Sequence, residues 1–160
     1  MSMVRYKCRI SELKVIDINW RAIGLSAKIT CNSPFAYAYP ETYSYITTTS
    51  KTINLLSRHS NIGYYYPNIK IALPSGVTSI SIKNITDNNK EFKLTGFANA
   101  SGKTITIDNK NQIITDSTGT NMYQFFNFNF FRLLHGDNSI LINGASTIEF
   151  MCEFPINTGG

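Results

Sequence analysis

From about residue 41 the chain repeats one pattern, in which short runs with every second residue apolar are separated by clusters of Asn, Asp, Gly and Ser. "NIKIAL" alternates at Ile69, Ile71 and Leu73, "TSISIKNI" at Ile80 and Ile82, "KEFKLTGF" at Phe92 and Leu94, and "KTITID" at Ile105 and Ile107. Ser75-Gly76, Asp87-Asn88-Asn89, Asn99 to Gly102 and "NKNQ" punctuate them. Side chains of a strand point to opposite faces in turn, so period-two alternation describes a strand with one buried face. Turn signals recurring about every ten residues then describe antiparallel strands in a sandwich or barrel. No apolar stripe at helical spacing competes with this reading. The expected fold is all-β: an antiparallel β-sandwich over about residues 41–157.

Residues 1–33 depart from the pattern. "VRYKCRI", "LKVIDINW" and "LSAKITC" read as three short strands, too few for an independent core. "NSPFAYAYPE" follows, where Pro34 and Pro40 exclude helix, so residues 34–40 read as an extended connector. Leu13, Val15, Ile16, Ile18, Trp20, Ile23 and Leu25 give the first segment more apolar surface than water tolerates, which implies that something covers it.

Composition narrows the function. The chain has 160 residues, of which 42% are hydrophobic and 16% charged, with a formal charge of +5. The basic residues are scattered, so no stripe for nucleic acid forms. No apolar run approaches the roughly 20 residues that span a bilayer. Cys8, Cys31 and Cys152 are widely spaced, without a CxxC pair or Cys/His cluster, and read as three free thiols rather than a zinc site or disulfide framework. Phosphate-binding and nucleophile-elbow motifs are absent, and neither a cofactor nor a catalytic site is expected.

Three groups of residues stand out. His135-Gly136-Asp137-Asn138 sets an imidazole beside a carboxylate. Acid–base or metal chemistry would need further partners, whereas Gly-Asp-Asn is strong turn chemistry, so a structural turn between antiparallel strands is expected. "MYQFFNFNFFRLL" reads as a strand with Phe126, Phe128 and Phe130 on one face. Tyr64-Tyr65-Tyr66 and Trp20 are the candidate interaction residues. Three consecutive strand tyrosines cannot all point inward, and exposed Tyr or Trp suits stacking on sugars or anchoring a protein contact.

"AKITCNSPFAYAYPE", "ITIDNKNQII" and "FFRLLHGDNSILINGASTIEF", in this order, resemble siphophage distal tail (Dit-type) proteins over most of residues 27–154. His135 stands where the family often has Pro. The resemblance implies a galectin-like C-terminal sandwich preceded by a remnant of the N-terminal ring domain in residues 1–33. It implies a non-catalytic component of the virion tail tip, assembled in the host cytoplasm and serving as a platform for host-adhesion proteins. Its implied partners are other tail and baseplate proteins and further copies of itself, as in the family's ring. The alternative is a carbohydrate-binding module for cell-wall glycan, although the galectin His-x-Asn-Pro-Arg and Trp-Gly-x-Glu-x-Arg stretches are absent.

Overall fold

The computed structural model describes residues 4–60 and 63–156. Residues 1–3 of the expected ring remnant and residue 157 of the expected sandwich lie outside them. The chain divides into two units, one of residues 1–39 with 155–160 and one of Pro40–Phe154.

The second unit is the sandwich. Strands β4 (Glu41–Thr47), β6 (Asn68–Ala72), β9 (Thr104–Asp108), β10 (Ile113–Asp116) and β12 (Ser146–Cys152) form one sheet in the order β10-β9-β6-β12-β4. Strands β5 (Ser50–Ser57), β7 (Ser79–Asn84), β8 (Lys90–Thr95) and β11 (Gly136–Asn143) form the other, in the order β5-β11-β7-β8. All of these pairings are antiparallel. The alternating residues are the buried ones: Ile69, Ile71, Ile105, Ile107, Ile148 and Phe150 from the first sheet, and Ile80, Ile82, Phe92, Leu94, Ile140 and Ile142 from the second. Each fully buried Ile or Phe contributes about 1.5–3 kcal/mol relative to exposure. Cys152 is also buried, which pushes its thiol up to about 12. The Asn143-Gly144 corner joins β11 to β12. Gly144 has φ +110° and its absent Cβ would meet the Ser79 carbonyl oxygen at 2.9 Å, so the position admits only glycine without strain.

The segment expected to be a phenylalanine strand is not one. Tyr123–Phe125 is a single turn of 3-10 helix, and Phe128 has φ 59°. Backbone pairing with the edge of β8 is limited to one bridge, Phe126 with Leu94, and to the Asn127 amide on the Lys93 carbonyl, and the Asn127 side chain takes up the neighbouring edge groups. Its Nδ2 donates to the Glu91 carbonyl at 2.8 Å, and its Oδ1 accepts from the Lys93 amide at 3.1 Å. The chain therefore kinks, leaving Phe128 73% exposed while Phe126 and Phe131 are buried. Phe126, Phe128 and Phe130 accordingly share no strand face.

His135 to Asn138 is likewise not a connection between two strands. What precedes it is irregular, and Gly136, Asp137 and Asn138 already pair with Ser57, Leu56 and Leu55 as the first residues of β11. Asn138 keeps the local chemistry expected of it, but turned inward. Its fully buried carboxamide accepts from the Leu134 amide and donates to the Leu134 and Gly136 carbonyls, each at 2.9 Å.

In the first unit, residues 8–31 form two long strands rather than the ends of three short ones: β1 (Cys8–Ile18) and β2 (Arg21–Cys31), an antiparallel ribbon. A short strand β3 (Ala36–Tyr37) lies within the expected connector and pairs with β13 (Pro155–Ile156). The Arg5 amide also bonds to the Tyr37 carbonyl.

Replacing Asn138 by Ala removes a partner from four polar groups at once, the buried Asn84 carboxamide and three part-buried backbone groups. A loss of at least about 2 kcal/mol is expected from the urea unfolding midpoint. A change below about 0.5 kcal/mol would show that water replaces the carboxamide.

Candidate functional site

The tyrosine triplet is sorted by its backbone. Tyr65 exchanges both backbone hydrogen bonds with Leu133, at 3.0 and 2.8 Å, which turns its ring inward and leaves Tyr64 and Tyr66 exposed. The Tyr65 hydroxyl accepts from the Glu153 amide at 2.7 Å, and its ring lies 4.8 Å from that of Phe154. Burial pushes the phenol up to about 12, so it stays protonated. Tyr65 is a structural residue, and the outward-facing surface belongs to its two neighbours.

Tyr64 carries a guanidinium. The Arg132 Cζ stands 3.5 Å from the ring centroid of Tyr64, in cation–π geometry. The same guanidinium is held by Asp87, with Nε to Oδ2 at 2.7 Å and Nη2 to Oδ1 at 3.2 Å. Asp87 is 5% exposed, and this bidentate bond holds Arg132 above the ordinary arginine range. Behind them, Asn84 accepts from the Asp87 amide at 3.3 Å and donates to the Arg132 carbonyl at 3.1 Å and to Asn138 at 2.9 Å. Tyr64 and Arg132 are therefore presented on a rigid, fully bonded base.

The histidines lie nearby but are not assembled for catalysis. The His59 Nε2–H donates to the Gly63 carbonyl at 3.4 Å, so its Nδ1 accepts from the Ser57 hydroxyl at 2.8 Å. Ser57 has no exposed surface, so this serine–histidine pair is closed to a substrate. The His135 Nδ1–H donates to the His59 carbonyl at 2.5 Å, and the two rings stand 5.7 Å apart edge to face. Burial, with His135 alongside, lowers the His59 pKa. Among the described residues, no three His, Cys, Asp or Glu side chains gather as a metal site.

The first unit carries a surface of a different kind. The ribbon's register sets Ile10 opposite Ile29, Leu13 opposite Ala27 and Val15 opposite Leu25. Arg9/Thr30, Glu12/Lys28 and Lys14/Ser26 occupy the alternate rows. Ile10 and Leu13 would fall on opposite faces in a regular strand. A bulge between Ile10 and Glu12 restores their phase, so Ile10, Leu13 and Val15 share an apolar face, while Arg9, Glu12, Lys14 and Ile16 lie on the other. Ser11, the extra residue, bonds the Thr30 hydroxyl at 3.1 Å on the polar side. Glu12 and Lys28 pair there at 3.5 Å. Ile10, Leu13, Val15, Leu25 and Ile29 are all exposed.

At the ribbon's tip stands Trp20. Asn19 and Trp20 have φ 50° and 64°, the two positive values of a type I′ hairpin turn. Asn is a usual residue for the first position and Gly for the second. Trp in the left-handed region is strained, and here its side chain is 102% exposed. Of the candidates singled out in the sequence, Trp20, Tyr64 and Tyr66 are exposed and Tyr65 is turned inward. Arg132, Asp87 and the apolar face of the ribbon were not legible in the sequence, because the first two meet only across 45 residues and the last depends on the bulge.

The architecture is thus an antiparallel sandwich that presents surfaces for contact, accompanied by an amphipathic ribbon. A family model described as phage tail C-terminal domain matches residues 35–152, and the chain belongs to that family of tail proteins. Among solved structures it is similar to the SPP1 Dit protein, described as a paradigm of the hub adsorption apparatus in phages infecting Gram-positive hosts. The TM-score is 0.61 at 15% identity, over 94% of this chain and 60% of that one. The chain therefore spans less than two thirds of that protein, and the likeness is one of fold. No curated protein matches.

Two outcomes are expected at this site. Arg132→Ala strands the buried Asp87 carboxylate and should cost about 2–3 kcal/mol in urea unfolding, whereas Asp87→Asn with Arg132→Gln should cost less. His59 has a folded pKa below its ordinary 6.5, so the folded state binds fewer protons than the unfolded one. Its stabilising contribution is full above about pH 6.5 and declines as pH falls below that value. His59→Gln should flatten the pH dependence of the unfolding midpoint between about pH 7 and 5, and an unchanged slope would assign it to other groups.

Proposed function

We propose that this tail protein is a non-catalytic platform at the tail tip, on which other tail and host-adhesion proteins are held. The observation that carries the reading is the exposed apolar face of the ribbon. Its paired rows from Ile10/Ile29 to Val15/Leu25 form a continuous patch, backed by polar pairs from Arg9/Thr30 to Lys14/Ser26. Two-stranded ribbons are marginal alone in water, and contiguous apolar patches mark contact surfaces. The occupant is another tail component or a further copy of the chain, as the Dit-type resemblance implies. The expected limits of a ring remnant, connector and sandwich are part of this proposal.

A second reading rests on the sandwich. Tyr64, Arg132 and Tyr66 place two exposed phenols about a fixed guanidinium, a surface suited to stacking on a cell-wall glycan.

Trp20→Gly separates folding from contact. Glycine suits the second position of the turn, so ribbon stability should hold or rise, while binding through the tip is lost. Leu13→Lys with Leu25→Lys should abolish co-elution with the neighbouring tail proteins and any self-association, with the circular dichroism spectrum unchanged. Unaltered co-elution by both variants would remove the ribbon from the platform. Saturable binding of cell-wall polysaccharide that Tyr64→Ala and Tyr66→Ala abolish would favour the second reading.

A further inference from the structure

Cys8 and Cys31 are the first pair of the ribbon and face each other across it. Their sulfurs are 3.1 Å apart, and both residues are exposed. The Asn32 amide donates to the Lys7 carbonyl at 2.7 Å, so Lys7/Asn32 is a hydrogen-bonded pair. Cys8/Cys31, one step on, is a non-hydrogen-bonded pair, where Cα atoms approach to about 4.5 Å. That lies within the roughly 4.4–6.8 Å that a disulfide bridges. The third cysteine, Cys152, is buried and takes no part.

We propose that Cys8 and Cys31 are a redox site: a dithiol in reducing surroundings that closes to an intramolecular disulfide when it meets an oxidised low-molecular-weight disulfide. Cys8 loses its proton to solvent, and the thiolate attacks one sulfur of the small disulfide. That S–S bond breaks, and the departing thiolate takes up a proton, leaving a mixed disulfide on Cys8. Cys31 then loses its proton and attacks the Cys8 sulfur, displacing the second small thiol, which is protonated in turn. Two protein thiols are oxidised, one small disulfide is reduced to two thiols, and protons balance. The Cys8 thiol is held above its ordinary range by its hydrogen bond to Cys31, so few Cys8 thiolates exist at neutral pH and exchange through Cys8 is slow there.

The site lies at the end of the ribbon opposite the tip, on the apolar face with Ile10 and Ile29. A bond there ties β1 to β2 where the ribbon opens and encloses the whole hairpin. A ribbon with no packed core of its own gains from this most, because the constraint acts on the separated strands. Closure would fix the apolar face as a preformed surface before or after a partner reaches it.

The test incubates the full chain with oxidised or reduced glutathione, denatures it, and counts thiols. Three are expected after the reduced form and one after the oxidised form. Peptide mapping should join the Cys8 and Cys31 peptides, two hydrogens lighter, in a monomer. Cys152→Ser should preserve the bridge, and Cys8→Ser should abolish it. The closed form should also show slower proteolysis within residues 8–31 than the open form. Three thiols persisting at excess oxidant, a bridge to Cys152, or a disulfide-linked dimer in place of the intramolecular bond would each overturn the proposal.

Discussion

The sandwich depends on burying loop backbone without leaving it unpaired. A buried amide or carbonyl must find a partner, and where a sheet ends the ladder no longer supplies one. In this chain asparagine does. Asn84, Asn99, Asn109 and Asn138 are all buried, and each bonds backbone well away in sequence or across a bend. Asn99 donates to the Pro74 carbonyl at 2.7 Å and accepts from the Lys103 amide at 2.6 Å. Asn109 donates to the Pro67 carbonyl at 2.7 Å and accepts from the Phe131 amide at 2.9 Å, fixing the irregular segment against two loops. Asn84 and Asn138 bond each other and so join the start of β11 to the end of β7. With one acceptor and two donor hydrogens, a carboxamide copies the peptide group it replaces.

This explains which part of the fold could be read from the sequence. The strands were legible because alternation is a local property: Ile69/Ile71 and Ile105/Ile107 announce a buried face within five residues. Asn99, Asn109 and Asn138 were legible only as turn residues, and Asn84 only as part of a strand run. Nothing local distinguishes a solvated Asn from one whose partner lies 22 or 54 residues away, as for Asn109 with Phe131 or Asn84 with Asn138. For the same reason Asn127 concealed the true course of the phenylalanine segment. The aromatic alternation is genuine, but only Phe126 bridges the edge of β8, and beyond it the Asn127 side chain, rather than a continued strand, meets the edge groups.

The ribbon was misread for the opposite reason, since a single inserted residue breaks the alternation. Ile10 and Leu13 are three apart, so they split into two strands by period-two reading. With Ser11 bulged, they belong to one strand and one face. The candidate sites divide in the same way. Trp20, Tyr64 and Tyr66 were legible as single residues that no core could absorb. Arg132 and Asp87 were not, because an ion pair across 45 residues leaves no local trace.

The two units solve different physical problems, and the proposed function rests on the difference. In the sandwich, alternation finds a core, the loop-end asparagines find backbone, and even Arg132 is held by Asp87 and Tyr64 before any ligand arrives. Such a body is braced internally. The ribbon keeps its polar rows paired, as with Glu12 and Lys28, yet leaves a whole apolar face in water and places a bulky indole where glycine would cost less. A chain selected for the ribbon's own stability would have neither feature. On the proposed reading a partner that covers the face and receives the indole would resolve both, so the strain at Trp20 and the exposure from Ile10 to Leu25 point to the same contact.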